Sequence, residues 1–181
     1  MAALDGEPQA MAPASRRTHG ALQAELCSLI RNHLAEKSSL CSVLANPGVV
    51  PRVQAEHNVR IPDLAVACSD YESDEAVISD PVLIAEILSP SNEAETWANV
   101  WAYTTIPSVR EIVVPRTVSI GAELLRRRAD GSWPRTPERI EAGNLVLESI
   151  GFQAPLAALY RTTRLARRSG TAGGSRRRSS K

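Results

Sequence analysis

Two carboxylates stand inside short apolar segments where a buried sheet should carry none. Asp63 lies in residues 60–68 and Glu86 lies in residues 81–90. Each segment is apolar on both faces and bounded by proline or polar residues, which is typical of a central strand. An ionised carboxylate in apolar surroundings is costly unless it is paired or binds a metal. The chain is therefore expected to compensate both carboxylates once it is folded.

Two interpretations of this pair are open. On neighbouring strands, Asp63 and Glu86 would form a seat for a hard divalent cation. Alternatively, each carboxylate pairs with an arginine, or Asp63 lies at a strand end in solvent. Spacing alone does not separate these arrangements.

The length and composition fit one globular domain. A chain of 181 residues is long enough for a sizeable core, and its 43% apolar share is ordinary. Because the sequence has no apolar run of about 18 residues and no signal-peptide pattern, we expect neither a membrane span nor secretion. Cys27, Cys41 and Cys68 are odd in number and lack metal-ligand spacing, which favours free thiols in a reducing cytoplasm.

Charge is divided unevenly along the chain. Residues 1–160 hold 13 basic and 20 acidic residues, a net −7, whereas residues 161–181 hold 8 basic residues and no acidic ones. Beyond about Arg167 the chain is Arg, Ser and Gly without apolar periodicity, which predicts disorder. We therefore expect a domain over 1–160 and a disordered basic tail over 161–181. The tail either contacts nucleic-acid phosphates or serves as a solubilising extension.

Hydrophobic periodicity predicts an α/β outline. An amphipathic helix is expected over 19–36 with Thr18 as its cap. A second helix is expected over 92–105, because Asn92 and Glu95 form a capping-box pattern. Its expected inner face consists of Trp97, Val100, Trp101 and Thr104. Strands are expected within 40–45, 60–68, 81–90, 109–114, 118–128 and 138–150.

Four motifs in a fixed order resemble the Uma2 family of the PD-(D/E)xK restriction-endonuclease-like superfamily. They are Arg60-Ile61-Pro62-Asp63, the stretch from Ile84 to Ser91, a helix ending in Tyr103, and the stretch from Ile106 to Glu111. The N-terminal Asp5-Gly6-Glu7, Met11-Ala12-Pro13 and His19-Gly20 also resemble the opening of that family. The resemblance covers roughly residues 4–160 and excludes the basic tail.

This resemblance implies a fold and a chemistry. The implied fold is α/β, a restriction endonuclease-like mixed central sheet flanked by helices. The implied function is a Mg²⁺-dependent DNA endonuclease in which Asp63 and Glu86 are the metal ligands and water attacks the phosphodiester. Glu7 would be a third acidic group near the metal or a turn residue. A homodimer is expected by analogy with nucleases that cut two strands.

The chain departs from the family pattern at the lysine. The superfamily places a lysine two residues after the glutamate, where this chain has Leu88. Many Uma2-like chains instead carry it one turn into the next helix, and the matching position here is Asn99. Asn99 donates hydrogen bonds but has no charge, so it would be an altered third catalytic position. Other cations considered for this charge are Arg16, Arg17, Lys37 and Arg110.

Three functions are therefore open. The preferred one is the Mg²⁺-dependent endonuclease. The second is a weak or inactive nucleic-acid-binding domain that lacks the lysine, and the third is a structural protein in which Asp63 and Glu86 are ion-paired. Two further features are ambiguous: His19 lies near the mouth of the site or in a loop, and the run 126–128 either contacts phosphate or guards an edge strand.

Overall fold

Among the described residues, two α-helices separate three groups of strands, and a third helix follows the last group. The computed structural model describes residues 2–4, 7–9, 17–53, 58–69 and 77–171. In chain order the elements are β1 Ala2–Leu4, β2 Glu7–Gln9, α1 Arg17–Glu36, β3 Ser42–Ala45, β4 Gly48–Val49, β5 Leu64–Ala67, β6 Val77–Ile78, β7 Pro81–Ala85, α2 Glu93–Tyr103, β8 Glu111–Pro115, β9 Ala122–Arg126, β10 Glu138–Ile140, β11 Asn144–Leu147, β12 Phe152–Pro155 and α3 Arg164–Thr171. Short 3-10 turns occupy Glu148–Ile150 and Leu156–Tyr160.

The central sheet is mixed. Its strand order is β10-β9-β8-β7-β5-β3, in which β7 and β8 are parallel and the other neighbours are antiparallel. A parallel pair needs a crossover connection, which α2 provides between β7 and β8. Smaller pairs form between β1 and β2, β4 and β6, and β11 and β12. The predicted α/β fold with a mixed central sheet and flanking helices is confirmed.

Each face of the sheet is covered by one of the two longer helices. The apolar residues clustered on the α1 side include Leu22, Leu26, Ile30, Leu64, Val66 and Leu83. Those clustered on the α2 side include Ala65, Ala67, Ile84, Val100, Tyr103 and Ile112. Neighbouring residues of β5 alternate between the two clusters, so this strand is buried on both faces as its sequence predicts.

Helix α2 presents a different inner face from the predicted one. Thr96, Val100 and Tyr103 are buried in a single stripe, whereas Trp97 is half-buried. Trp101 is 40% exposed, so its predicted place in the core is wrong. The buried stripe includes Tyr103 because its ring packs in the core while its hydroxyl reaches a buried carboxylate.

The predicted cap is wrong for Thr18, whereas Asn92 does stand at the N-cap position of α2 but without the predicted side-chain capping bond. Thr18 lies inside α1, which already begins at Arg17. Asn92 precedes α2 but makes no side-chain capping bond to it. Its Oδ1 instead accepts hydrogen bonds from the Ser89 backbone N–H at 3.2 Å and hydroxyl at 2.6 Å, which fixes the turn between β7 and α2.

Cys41 and Cys68 form a disulfide, so the prediction of free thiols is wrong for both. Strands β3 and β5 are antiparallel with Ser42 opposite Ala67, and this register brings the next two residues, the cysteines, opposite each other. The sequence conceals the pair because 27 residues separate the cysteines. Cys27 is free and half-buried, in agreement with the prediction for that residue.

The start of the basic tail is helical. Helix α3 covers Arg164–Thr171, where the sequence predicts disorder, and Leu165 packs against the cluster on the α1 side. The rest of the predicted tail, residues 172–181, lies outside the described residues, as do Arg16, His57 and residues 70–76 of the acidic loop. The helices of the described ranges include none that is long and apolar enough to cross a membrane.

Candidate active site

The two predicted carboxylates meet where β5 begins and β7 ends. Leu64 is paired with Ala85 in this antiparallel ladder, so the next two residues outward, Asp63 and Glu86, face each other. Asp63 is 9% exposed and Glu86 is 8% exposed. Asp63 therefore does not lie in solvent. Within the described ranges, neither carboxylate forms an ion pair with arginine or lysine.

Helix α1 and the chain after β7 hold Asp63 in place. Its Oδ2 accepts a hydrogen bond from the Ile87 backbone N–H at 2.7 Å and lies 3.2 Å from His19 Nε2. Its backbone carbonyl accepts from Gln23 Nε2 at 2.9 Å and from the Asn46 N–H at 3.1 Å. His19 and Gln23 are one turn apart on α1, so one face of this helix contacts both the side chain and the backbone carbonyl of Asp63. Of the two alternatives for His19, the loop position is wrong, because His19 lies on α1 beside Asp63.

The surroundings of Glu86 favour its protonated form. Burial, which is the larger cause, and the adjacent negative charge of Asp63 together raise the pKa of Glu86 to about 8. The Tyr103 hydroxyl donates a 2.7 Å hydrogen bond to Glu86 Oε1, which opposes the rise by stabilising the ionised form. At neutral pH and without a cation, Glu86 therefore mostly retains its proton.

A guanidinium approaches the same region from the segment before Asp63. Arg60 Nη1 donates to Asn99 Oδ1 on α2. Asn99 and Tyr103 are one helical turn apart, so the amide that contacts Arg60 lies beside the ring that contacts Glu86. Burial raises the pKa of the Tyr103 hydroxyl well above its usual value and the charge of Glu86 adds to this, whereas the charge of Arg60 lowers it.

The expected lysine positions carry no cation. Leu88 is half-buried and packs against the cluster on the α2 side. Lys37 follows the end of α1, about 27 Å along the helix axis from His19 at 1.5 Å per residue, so it is too far from the site. Arg17 and Arg110 are exposed, and no ion pair connects either to Asp63 or Glu86 within the described residues. Within the described ranges, Arg60 instead brings a cation to α2, where it contacts Asn99.

Arg60 and Gln23 are not evident as site residues from the sequence. Arg60 stands in the motif three residues before Asp63, and this proximity is the one signal that could have identified it. The direction of its side chain depends on the pairing of its backbone with Val49, at 2.8 and 2.9 Å, which is a tertiary contact. Gln23 gives no signal beyond its place one turn after His19.

The arginine run at 126–128 has structural contacts. Arg126 Nε pairs with the buried Glu111 at 2.8 Å. Arg127 donates to three backbone carbonyls after α2 and lies over the Trp133 ring at 5.1 Å. Strand β9 also lies between β8 and β10, so it is not an edge strand. The edge-strand alternative is therefore wrong. Contact of this run with phosphate stays a prediction, and the contacts seen hold Arg126 against β8 and Arg127 against the segment after α2.

The donor set suits a hard cation with few protein ligands. Within the described ranges, no three His, Cys, Asp or Glu side chains are grouped to hold a metal. Asp63 and Glu86 nevertheless place two carboxylates side by side, and their mutual repulsion, visible in the raised pKa of Glu86, would be relieved by a divalent ion. Mg²⁺ retains several waters and commonly takes only one or two carboxylates, so the residues fit this ion.

Comparison with known proteins identifies relatives along most of the chain. The model of the Uma2 family, described as "Putative restriction endonuclease", matches residues 1–157. The "Uncharacterized protein slr1290" of Synechocystis sp. is 27% identical over 165 residues, which cover 87% of this chain and 82% of that protein. The crystal structure of "a putative nuclease belonging to DUF820" from Anabaena variabilis has a TM-score of 0.67 at 14% identity, covering 82% of this chain and 83% of that one. At that identity the likeness shows the fold alone.

Proposed function

Because the chain belongs to the Uma2 family, we propose that it is a Mg²⁺-dependent nuclease that hydrolyses phosphodiester bonds in DNA. The observation that carries this proposal is the buried Asp63–Glu86 pair. Two adjacent buried carboxylates destabilise a fold unless a proton or a cation compensates them. A protein that needed only stability would be better served by apolar residues at these positions.

The surrounding residues orient the two carboxylates. The Ile87 N–H and His19 hold Oδ2 of Asp63, and the Tyr103 hydroxyl holds Oε1 of Glu86. Bound Mg²⁺ would polarise the phosphodiester and lower the pKa of a water. Because Glu86 must lose its proton to become a ligand, cation binding and proton release are coupled at this residue.

Asn99 is proposed as the third position of the site. Its Oδ1 accepts from Arg60, and its amide nitrogen adds donor capacity without charge. This assignment gives Asn99 a positioning role toward Arg60 rather than direct stabilisation of a charged phosphate.

A second candidate function is nucleic-acid binding without cleavage. Leu88 and Asn99 stand at the two positions where the family resemblance implies a lysine. The absence of lysine from both positions favours a domain that binds nucleic acid but has lost catalytic power. DNA binding in Ca²⁺ together with no cleavage in Mg²⁺ or Mn²⁺ would support this candidate over the nuclease.

The test is plasmid cleavage in Mg²⁺ or Mn²⁺ by the wild type and by Asp63→Asn and Glu86→Gln, which change shape little. We expect cleavage by the wild type, removal of cleavage by EDTA, and a loss of at least about 10²-fold in each variant. Glu123→Gln is the matched control, because Glu123 on β9 is also 8% exposed but pairs with Arg116. Activity that survives both site substitutions would contradict the proposal.

A further inference from the structure

We propose that Arg60 contacts the phosphate of the bound substrate and supplies the positive charge that Leu88 and Asn99 cannot. This inference rests on the proposed function, because it assigns a phosphate-binding residue to the same site. It also assigns the amide of Asn99 a specific task, which is to hold the guanidinium in position.

The position of Arg60 is fixed at both ends. Its backbone N–H donates to the Val49 carbonyl at 2.9 Å, and its carbonyl accepts from the Val49 N–H at 2.8 Å. Its side chain then extends to α2, where Nη1 donates to Asn99 Oδ1. Since Asn99 stands one turn before Tyr103, the guanidinium reaches the side of α2 whose hydroxyl contacts Glu86. A rigid backbone and one side-chain anchor leave the remaining guanidinium donors for a ligand.

Among the described residues, no carboxylate neutralises the charge that Arg60 brings to α2, where Nη1 contacts Asn99. In the described part of the chain, Arg60 forms no ion pair with a carboxylate. The arginines Arg116, Arg126, Arg139 and Arg161 each pair with a glutamate.

The hydrogen-bonding capacity of Arg60 is also unfilled. The side chain is half-buried, and its Nε is buried without a hydrogen-bond partner among the described residues. A guanidinium presents five donors in a planar fork that matches two oxygens of a phosphate. Nη2 also makes no hydrogen bond among the described residues and is not one of the buried atoms, so it is open to a phosphate oxygen. The chemistry therefore favours an anionic phosphodiester over a neutral ligand.

The acidic charge of the body explains why the site needs positive charge that no carboxylate neutralises. The acidic body carries a net −7 over residues 1–160, so a polyanion meets repulsion unless local positive charge offsets it. Asp63 and Glu86 would hold a divalent ion, and the Arg60 guanidinium would add a second positive charge for a bound phosphate. Asn99 could not do so alone, because an amide carries no charge.

The experiment compares Arg60→Met, which removes the charge at similar length, with Arg60→Lys and with the double variant Arg60→Met/Asn99→Lys. Arg110→Met is the matched control, since Arg110 is an exposed arginine outside the site. The readouts are binding of a short labelled DNA duplex in Ca²⁺ at several salt concentrations, Mn²⁺ affinity by electron paramagnetic resonance, and cleavage in Mg²⁺. Thermal melting confirms that each variant is folded.

Arg60→Met is expected to weaken duplex binding about tenfold and to lower the salt slope by about 0.9, as one phosphate contact is lost. Its cleavage rate should fall by about 10²–10³-fold while Mn²⁺ affinity is retained. Arg60→Lys should recover part of both losses, and the double variant should recover cleavage by placing an ammonium on α2.

Two results would overturn the inference. One is duplex binding and salt slope equal to wild type in Arg60→Met, or in Arg60→Gln if Arg60→Met does not fold. The other is a loss of duplex binding in Arg110→Met equal to the loss in Arg60→Met, which would mean that any removed positive charge weakens binding. If the wild type does not cleave DNA at all, the nuclease proposal fails, and duplex binding with its salt slope still decides the role of Arg60.

Discussion

At the scale of single residues, protonation explains how the fold tolerates two adjacent carboxylates. Asp63 receives the Ile87 N–H and the His19 ring, whereas Glu86 is deeply buried beside it with a pKa of about 8. The sequence predicted the pair and its cost correctly, because charge inside an apolar segment is visible without a structure. It could not show that a proton on Glu86 compensates this cost in the absence of a cation.

The pH dependence of stability follows from Glu86. Its pKa in the fold is about 8, above the ordinary 4.5, so between these values the folded state holds a proton that the unfolded chain has lost. The free energy of unfolding should therefore fall as pH rises from about 5 to 8 in EDTA-treated protein. Glu86→Gln should remove this decline, and urea unfolding at a series of pH values measures it. A decline that is the same in wild type and Glu86→Gln would contradict the assignment.

The Tyr103 hydroxyl should tune the affinity for a cation. Its hydrogen bond lowers the pKa of Glu86, so Tyr103→Phe should make the proton harder to displace at neutral pH. We expect Mn²⁺ affinity to fall about fivefold, the equivalent of about 1 kcal/mol. Tyr160→Phe is the control, because Tyr160 donates to the Gly121 carbonyl at 2.6 Å, away from Asp63 and Glu86. Equal Mn²⁺ affinity in all three proteins would count against this role.

At the scale of elements, periodicity predicted where helices and strands lie but not how they pair. The helix predicted over 19–36 is found at Arg17–Glu36, and the two carboxylate segments do form neighbouring strands. Alternation of apolar residues assigns a side chain to one face of the sheet, but it does not show where strand pairing ends. Asp63 and Glu86 are therefore predicted inside strands, whereas they lie just beyond the ends of β5 and β7. Arg60 was missed for a similar reason, because its direction depends on a contact with Val49.

The disulfide between β3 and β5 should contribute to stability. It closes a sequence separation of 27 residues, which in the chain-entropy account corresponds to about 3–4 kcal/mol.

Urea unfolding with and without reductant measures this difference. Cys41→Ala should be insensitive to reductant, whereas Cys27→Ala should respond as the wild type does. Reductant that leaves wild-type unfolding unchanged would contradict the expected stabilisation. Because Cys68 follows β5 and Asp63 precedes it, cation affinity should not change.

At the scale of the whole molecule, the fold is established more firmly than the chemistry. The family model and the solved neighbour both cover most of the chain, and the mixed sheet with a helix on each face agrees with them. Neither comparison carries over a reaction at this level of identity. The chemistry depends instead on local charge: an acidic body, the carboxylates of Asp63 and Glu86, and the guanidinium of Arg60, which forms no ion pair within the described ranges.

Calorimetric titration of Mg²⁺ into the metal-free protein at neutral pH tests the central claim most directly. The account predicts that the wild type and Glu123→Gln bind the ion and release protons, as shown by buffers of different ionisation enthalpy. It predicts that Asp63→Asn and Glu86→Gln lose this binding. Binding that persists unchanged in both site variants, or a folded wild type that binds no Mg²⁺, would contradict a metal site at this pair.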